Sequence, residues 1–144
     1  MKRHKILILS ALCFLSVVMG SGVVSTAAQA ATCYGDYCSG QDPEAAGCSA
    51  DAYTVVSARI PGTYTYIELR WSPSCKTNWA RVPASWGTSY PSSLRAYQCS
   101  TGYNQRGVVA SSSDYSWTRM IYSPALSVRA DWIGSPGSIG TSCV

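Results

Sequence analysis

From Thr63 to Trp71 the chain alternates strictly, with Thr63, Thr65, Ile67, Leu69 and Trp71 on one side and Tyr64, Tyr66, Glu68 and Arg70 on the other. Successive side chains of a strand point to opposite faces, so this run predicts a strand whose first set faces a core and whose second faces water or a further layer. The preceding run, AYTVVSARI (52–60), is rich in β-branched residues, and Pro61-Gly62 between the two is a turn step. Together they read as a β-hairpin. SPSC (72–75) then reads as a turn and TNWARV (77–82) as a short strand. LRAYQC (94–99), RGVVAS (106–111), WTRMIY (117–122) and ALSVRADW (125–132) are further strand candidates with turn residues between them. PASWGTSYPS (83–92) reads as a loop that carries Trp86 and Tyr90. No stretch sustains a helical period, and at most one turn of helix is predicted near Pro43 to Asp51. The pattern predicts an all-β fold, a small sandwich or barrel without internal repeats, with Trp71 and Trp79 in its core.

The first thirty residues belong to a different pattern. Lys2, Arg3 and Lys5 precede an apolar stretch from Ile6 to Gly20, and Ala28-Gln29-Ala30 forms a small-residue cleavage box. This is the three-part layout of a secretory signal peptide, so residues 1–30 are expected to be removed and residues 31–144 to form a single exported domain. Leu12 stands where a lipoprotein box before Cys13 needs a small residue. An uncleaved anchor is the rival reading, but no basic stop follows the stretch, and no stable membrane span is expected in the mature chain.

Cleavage changes the composition that matters. Of eleven basic residues, the three at the start are lost, leaving eight against seven acidic ones and a net charge of +1. A near-neutral surface argues against nucleic acid or an anionic membrane held by bulk charge. The single histidine, His4, is lost as well, which excludes Ser-His, Cys-His and histidine–metal chemistry from the mature chain. What remains is 144 less 30, or 114 residues, with all ten Tyr and all five Trp. A domain of that size buries roughly 65% of its unfolded surface, and covalent staples help it.

Cys33, Cys38, Cys48, Cys75, Cys99 and Cys143 remain, an even number in a chain bound for an oxidising exterior. Three disulfides are expected, though six cysteines allow fifteen pairings and spacing does not choose among them. A Cys48–Cys75 bond would stabilise by roughly 3–4 kcal/mol in the chain-entropy model. The tail from Ile133 is held only if Cys143 is bonded, with Cys99 the favoured partner. A zinc site of four thiolates usually shows two close cysteine pairs, and only Cys33 and Cys38 are that close. No C-x-x-C redox motif occurs. Asp36, Asp42 and Glu44, with Asp51 beyond them, offer hard oxygen ligands to calcium, but DPEAAG lacks the alternating ligand pattern of an EF-hand loop. Asp42-Pro43 more simply opens a turn. No metal or other cofactor is expected.

Two boxes carry a resemblance. The opening CYGDYCSGQDPEAAGC supplies Cys33, Gly35, Cys38, Gly40, Asp42, Pro43, Gly47 and Cys48, and LRWSPSCKTNWAR supplies Leu69, Arg70, Trp71, Ser72, Cys75, Trp79, Ala80 and Arg81. Over residues 33–82 the chain resembles the YjfA-like secreted proteins of Gram-positive bacteria, a family whose domain has no assigned function. The resemblance implies an extracytoplasmic domain, carried in some relatives on a membrane span with a cytoplasmic helix-turn-helix regulator. This chain looks like the free-standing form. It also implies that Cys33, Cys38, Cys48 and Cys75 make a self-contained pair of disulfides, with Cys99 and Cys143 paired separately.

Function is read from what is left. Trp86, Tyr90, Tyr64 and Tyr66 are aromatic groups able to stack on sugar faces, and Arg70 lies on the same strand face as Tyr66. They make a non-catalytic module that binds cell-wall glycan or another extracellular polymer the leading expectation. A protein-directed inhibitor or toxin-like factor is the alternative, presenting loops 83–92 and 100–106 with Arg70, Arg81 and Arg106 as anchors. A glycan hydrolase would have to work with carboxylates alone, and Glu68 is more simply an ion-pair partner of Arg70. No catalytic residue is assigned.

Overall fold

The computed structural model describes residues 30–144. All but the last residue of the predicted signal peptide, including His4, Cys13 and Phe14, lies outside the described residues. The strands are β1 (Tyr53–Arg59), β2 (Tyr66–Ser72), β3 (Thr77–Pro83), β4 (Leu94–Gln98) and β5 (Asn104–Arg106). They continue with β6 (Ala110–Ser111), β7 (Tyr115–Trp117), β8 (Ile121–Tyr122), β9 (Val128–Trp132) and β10 (Ile139–Gly140). One helix, α1 (Ala84–Ser89), follows β3. One sheet runs β1-β2-β3-β7-β6, with β8 also paired to β3, and the other runs β10-β9-β4-β5. Every strand pair is antiparallel. The predicted all-β class is thus a two-sheet sandwich.

The sandwich core lies between the sheets. Ile67 and Leu69 of β2 and Ala80 and Val82 of β3 meet Leu94 and Ala96 of β4 and Val128, Ala130 and Trp132 of β9, all fully buried. These positions are two apart on each strand, as a core-facing set must be. The hairpin forms as predicted, but β2 starts at Tyr66 rather than Thr63. Gly62 has φ 73°, the Thr63 hydroxyl donates to the Ile60 carbonyl at 2.9 Å, and the Thr65 amide donates to Thr63 Oγ1 at 3.0 Å. The turn absorbs three residues that the alternation had placed in the strand. On β1 the register slips between Thr54 and Val56, a bulge that breaks its ladder with β2.

A third layer covers the outer face of the first sheet. It is built from residues 33–52, held by Cys33–Cys38 and Cys48–Cys75, and it buries Trp79 of β3, Trp117 of β7 and Met120 in a second cluster. Gly35–Cys38 forms a 3-10 turn; residues 42–49 coil through hydrogen bonds such as Ala46 N to Asp42 O and Cys48 N to Pro43 O, a run of turns that does not extend into a helix, within the limit of one turn expected there. Asp42 Oδ1 accepts the Trp117 indole N–H at 2.8 Å, and Arg119 Nη1 donates to the Gly40 carbonyl at 2.8 Å.

Trp79 is therefore buried, but beneath the cysteine layer rather than in the sandwich core. Trp71 is only half-buried and belongs to neither cluster. Residues 83–92, predicted as loop, contain α1, too short to show a periodicity. RGVVAS splits into parts of β5 and β6 because Gly107 takes φ 88°. WTRMIY splits at Thr118, whose Oγ1 accepts the amide of Ala80 and so interrupts the ladder on β3. The tail is tied down by Cys99–Cys143, by β10 against β9, and by the reciprocal Val128–Val144 backbone pair.

Two stability outcomes are expected. A Cβ on Gly87 of α1 would stand 2.1 Å from Ser116 Cβ, so Gly87→Ala should cost about 1–3 kcal/mol in chemical denaturation. The Cys99–Cys143 bond spans 44 positions, and its removal in a Cys99→Ser/Cys143→Ser chain should cost about 4 kcal/mol in the loop-entropy picture. A loss below about 1 kcal/mol would mean that β10 alone secures the tail.

Candidate functional site

Trp71 shares the inward side of β2 with Ile67 and Leu69, yet the wall it meets is different. Opposite it stand the loop 123–127 and Val144 in place of a strand, and the sandwich opens into a groove of about 360 Å³. Tyr53 is the cross-strand partner of Trp71 on β1 and Asn78 its partner on β3, so all three project to one side. Val55, Leu126 and Val144 complete an apolar rim that is 41–49% exposed. Polar groups sit deeper: Asn78 Nδ2 donates to the Arg70 carbonyl at 2.9 Å, and its Oδ1 accepts the Ser123 hydroxyl at 2.7 Å. The Trp71 indole N–H makes no hydrogen bond among the described residues. An aromatic face beside a fixed amide and hydroxyls is the kind of surface that takes up a sugar ring or an amphipathic side chain.

The residues singled out from the sequence fall into separate places. Tyr64 is 94% exposed on the hairpin turn, and Tyr66 is exposed at the start of β2. Trp86 is half-buried on α1 and packs edge-on to the buried Trp132 at 5.5 Å, with Tyr90 5.8 Å from both rings. The ring of Trp86 therefore also serves the core. Arg70 donates to Thr54 Oγ1 at 2.8 Å and to the Ala52 carbonyl at 2.6 Å, anchoring the entry to β1; its Nε is buried without a partner. Burial, with the neighbouring Arg81 adding to it, lowers the Arg70 pKa from its ordinary value.

The expected Glu68–Arg70 ion pair is not formed. Register places Arg81 directly opposite Glu68, and Arg81 takes the carboxylate at 2.6 Å while its guanidinium lies 3.9 Å over the Tyr115 ring. Arg106 donates to the Ser92 carbonyl. Asp36 accepts the Ser39 hydroxyl, Asp42 the Trp117 indole and the Glu44 amide, and Glu44 the Ser49 hydroxyl. Each acid considered for calcium thus has a local donor. On the outer face of the second sheet, Asp131 receives Arg95 at 2.6 Å and lies 3.0 Å from Arg129 Nε, and both guanidinium groups flank the Tyr97 ring.

Asp51 closes the turn between β2 and β3. Its Oδ1 accepts the Ser72 hydroxyl at 2.7 Å and its Oδ2 the Ser74 amide at 2.9 Å. Burial acts to raise its pKa, but these hydrogen bonds together outweigh it and hold the carboxyl below its ordinary value of 3.8.

A disulfide-stapled, three-layer β domain with an open aromatic groove is the class these features define. The chain belongs to DUF2690, a family of proteins of unknown function, whose profile matches residues 36–130. The match takes in β4, β5 and the start of β9 of the second sheet as well as the cysteine boxes from Asp36 onward. Comparison with curated proteins and with solved structures gives no match. No helix among the described residues is long and apolar enough to cross a membrane.

A depressed carboxyl contributes stability that is present above its unfolded pKa and lost as pH falls through the folded one. The Asp51 contribution should therefore begin to fall below about pH 4 and be lost once the pH drops through its lowered folded value. Asp51→Asn should lower the denaturation midpoint at neutral pH and show a smaller further drop on acidification than the parent chain. Parallel acid limbs for the two proteins would remove Asp51 from the account.

Proposed function

We propose that this chain is an exported, non-catalytic module that binds a cell-wall or other extracellular polymer, with its ligand seated on Tyr53 and Trp71 at the open end of the sandwich. The observation that carries the reading is the pairing of these two aromatic residues across β1 and β2, above Asn78 and Ser123, on a groove that no part of the described chain fills. Export is supported by three disulfides, which persist in oxidising compartments, and by the signal-like N-terminus. The resemblance to YjfA-like proteins favours a Gram-positive envelope as the setting. Hydrolysis is disfavoured because Glu68 is committed to Arg81 and Asp131 to two arginines.

The test is co-sedimentation of the oxidised protein with purified Gram-positive cell walls. Saturable binding is expected, weakened about 10-fold or more by Trp71→Ala or Tyr53→Ala, as when a central aromatic anchor is removed. Tyr64→Ala and Tyr66→Ala are the comparison: loss with these alone would move the ligand to the hairpin tip. Trp86→Ala discriminates poorly, because its ring supports Trp132. Absence of saturable binding by the parent protein would overturn the reading.

A further inference from the structure

The two disulfides of the outer layer do not merely lie near each other. The sulfurs of Cys33, Cys38, Cys48 and Cys75 all fall within 4.8 Å of one another, and Cys33 Sγ touches Cys48 Sγ at 3.6 Å across the two bonds. Cys48–Cys75 alone staples residues 33–52 to the head of β3, and closing the internal Cys33–Cys38 bond does not require all four sulfurs to converge. A tetrahedral zinc thiolate site, with metal–sulfur bonds of about 2.3 Å, has sulfur–sulfur edges of about 3.8 Å. The 3.6 Å separation of Cys33 and Cys48 already matches such an edge, and reduction would let the two bonded pairs spread toward the same spacing. Cys38, Cys48 and Cys75 are buried, while Cys33 is partly exposed and gives access from solvent. Ser74 Oγ lies 3.8 Å from Cys75 Sγ, within reach to donate to it.

We propose that, once reduced, these four cysteines form a tetrathiolate site for a soft divalent cation of the zinc class, so that the outer layer has two closed states, one covalent and one metal-bound. The chemistry balances with a dithiol as reductant. The first dithiol opens the accessible Cys33–Cys38 bond, gives two cysteine thiols and closes to its own disulfide. The Cys33 thiolate then attacks Cys48 Sγ, forms a Cys33–Cys48 bond and expels Cys75 as thiolate. A second dithiol reduces that bond. Two dithiols are oxidised and four cysteine thiols result; binding one divalent ion releases their four protons and leaves a site of net charge −2. Neither state requires residues 33–52 to leave the face formed by Trp79 and Trp117.

The experiment uses the full chain with Cys13→Ser, Cys99→Ser and Cys143→Ser, reduced by a phosphine without oxygen and titrated with Co²⁺. The expected result is one ion per chain, with thiolate-to-cobalt charge transfer and the visible bands of a tetrahedral four-sulfur site. Equimolar Zn²⁺ should displace it, and the near-ultraviolet circular dichroism of the packed tryptophans should persist. A further Cys33→Ser change should weaken binding at least about 10-fold and shift the bands toward three-sulfur coordination. Absence of four-sulfur bands would overturn the proposal. So would such bands accompanied by loss of the tryptophan signal, because an unfolded chain would then be gathering the metal. The same titration with Cys99 and Cys143 retained guards against a scaffold weakened by their removal, and there a stoichiometry above one four-sulfur ion would also overturn it.

Discussion

A strand buried on both faces needs two covers, and β3 is such a strand. Ala80 and Val82 face the second sheet, while Trp79 faces the cysteine layer. An isolated two-layer sandwich would leave the indoles of Trp79 and Trp117 in water, and residues 33–52 lack the strands and length to make a core of their own. Each part supplies what the other lacks. The disulfide from Cys48 to Cys75, at the head of β3, fixes the cover to the strand it protects. Hydrogen bonds from Trp117 to Asp42 and from Arg119 to Gly40 then set its orientation.

The same arrangement explains where the groove lies. The middle of the first sheet is spoken for on both sides, and among the described residues its inner surface opens at the end at Trp71, where the partner is a loop instead of a strand. Rigid elements hold that end. Asp51 and Arg70 tie the start of β1 to β2, and Asn78 holds Ser123 of the facing loop. The aromatic surface is thus presented by strands whose register is fixed, with little rearrangement needed to receive a ligand.

Much of the sandwich was legible because its inner faces obey the two-residue period, as Ile67, Leu69, Ala80 and Val82 do. The hairpin was legible from Pro61-Gly62. The role of Trp71 was not, because alternation tells which side a residue takes but not whether anything stands opposite. Tyr53 could have been found by counting back across the hairpin turn, had the bulge at Thr54 not shifted the count by one. Glu68 was paired with the wrong arginine for a related reason: a neighbour two along a strand competes with a directly opposed residue, and opposition is closer. Helix α1 escaped notice since six residues show no period, and its Gly87 is required by a contact with Ser116, twenty-nine positions away in sequence and invisible in it.

The bulge in β1 has a bearing on how the protein behaves among its own copies. β1 is a terminal strand of its sheet and, at seven residues, the longest strand left with an unpaired side; the other strands paired on one side, β5, β6, β8 and β10, have two or three. A long straight edge is a template on which a second chain can extend the sheet, and the first steps of fibril growth use such edges. The slip between Thr54 and Val56 twists the ladder out of register at that point, and Arg59 places a charge near its far end. Among the described residues, short edges elsewhere and a broken one here shorten the run of free backbone groups on which β-aggregation could start to Val56–Arg59.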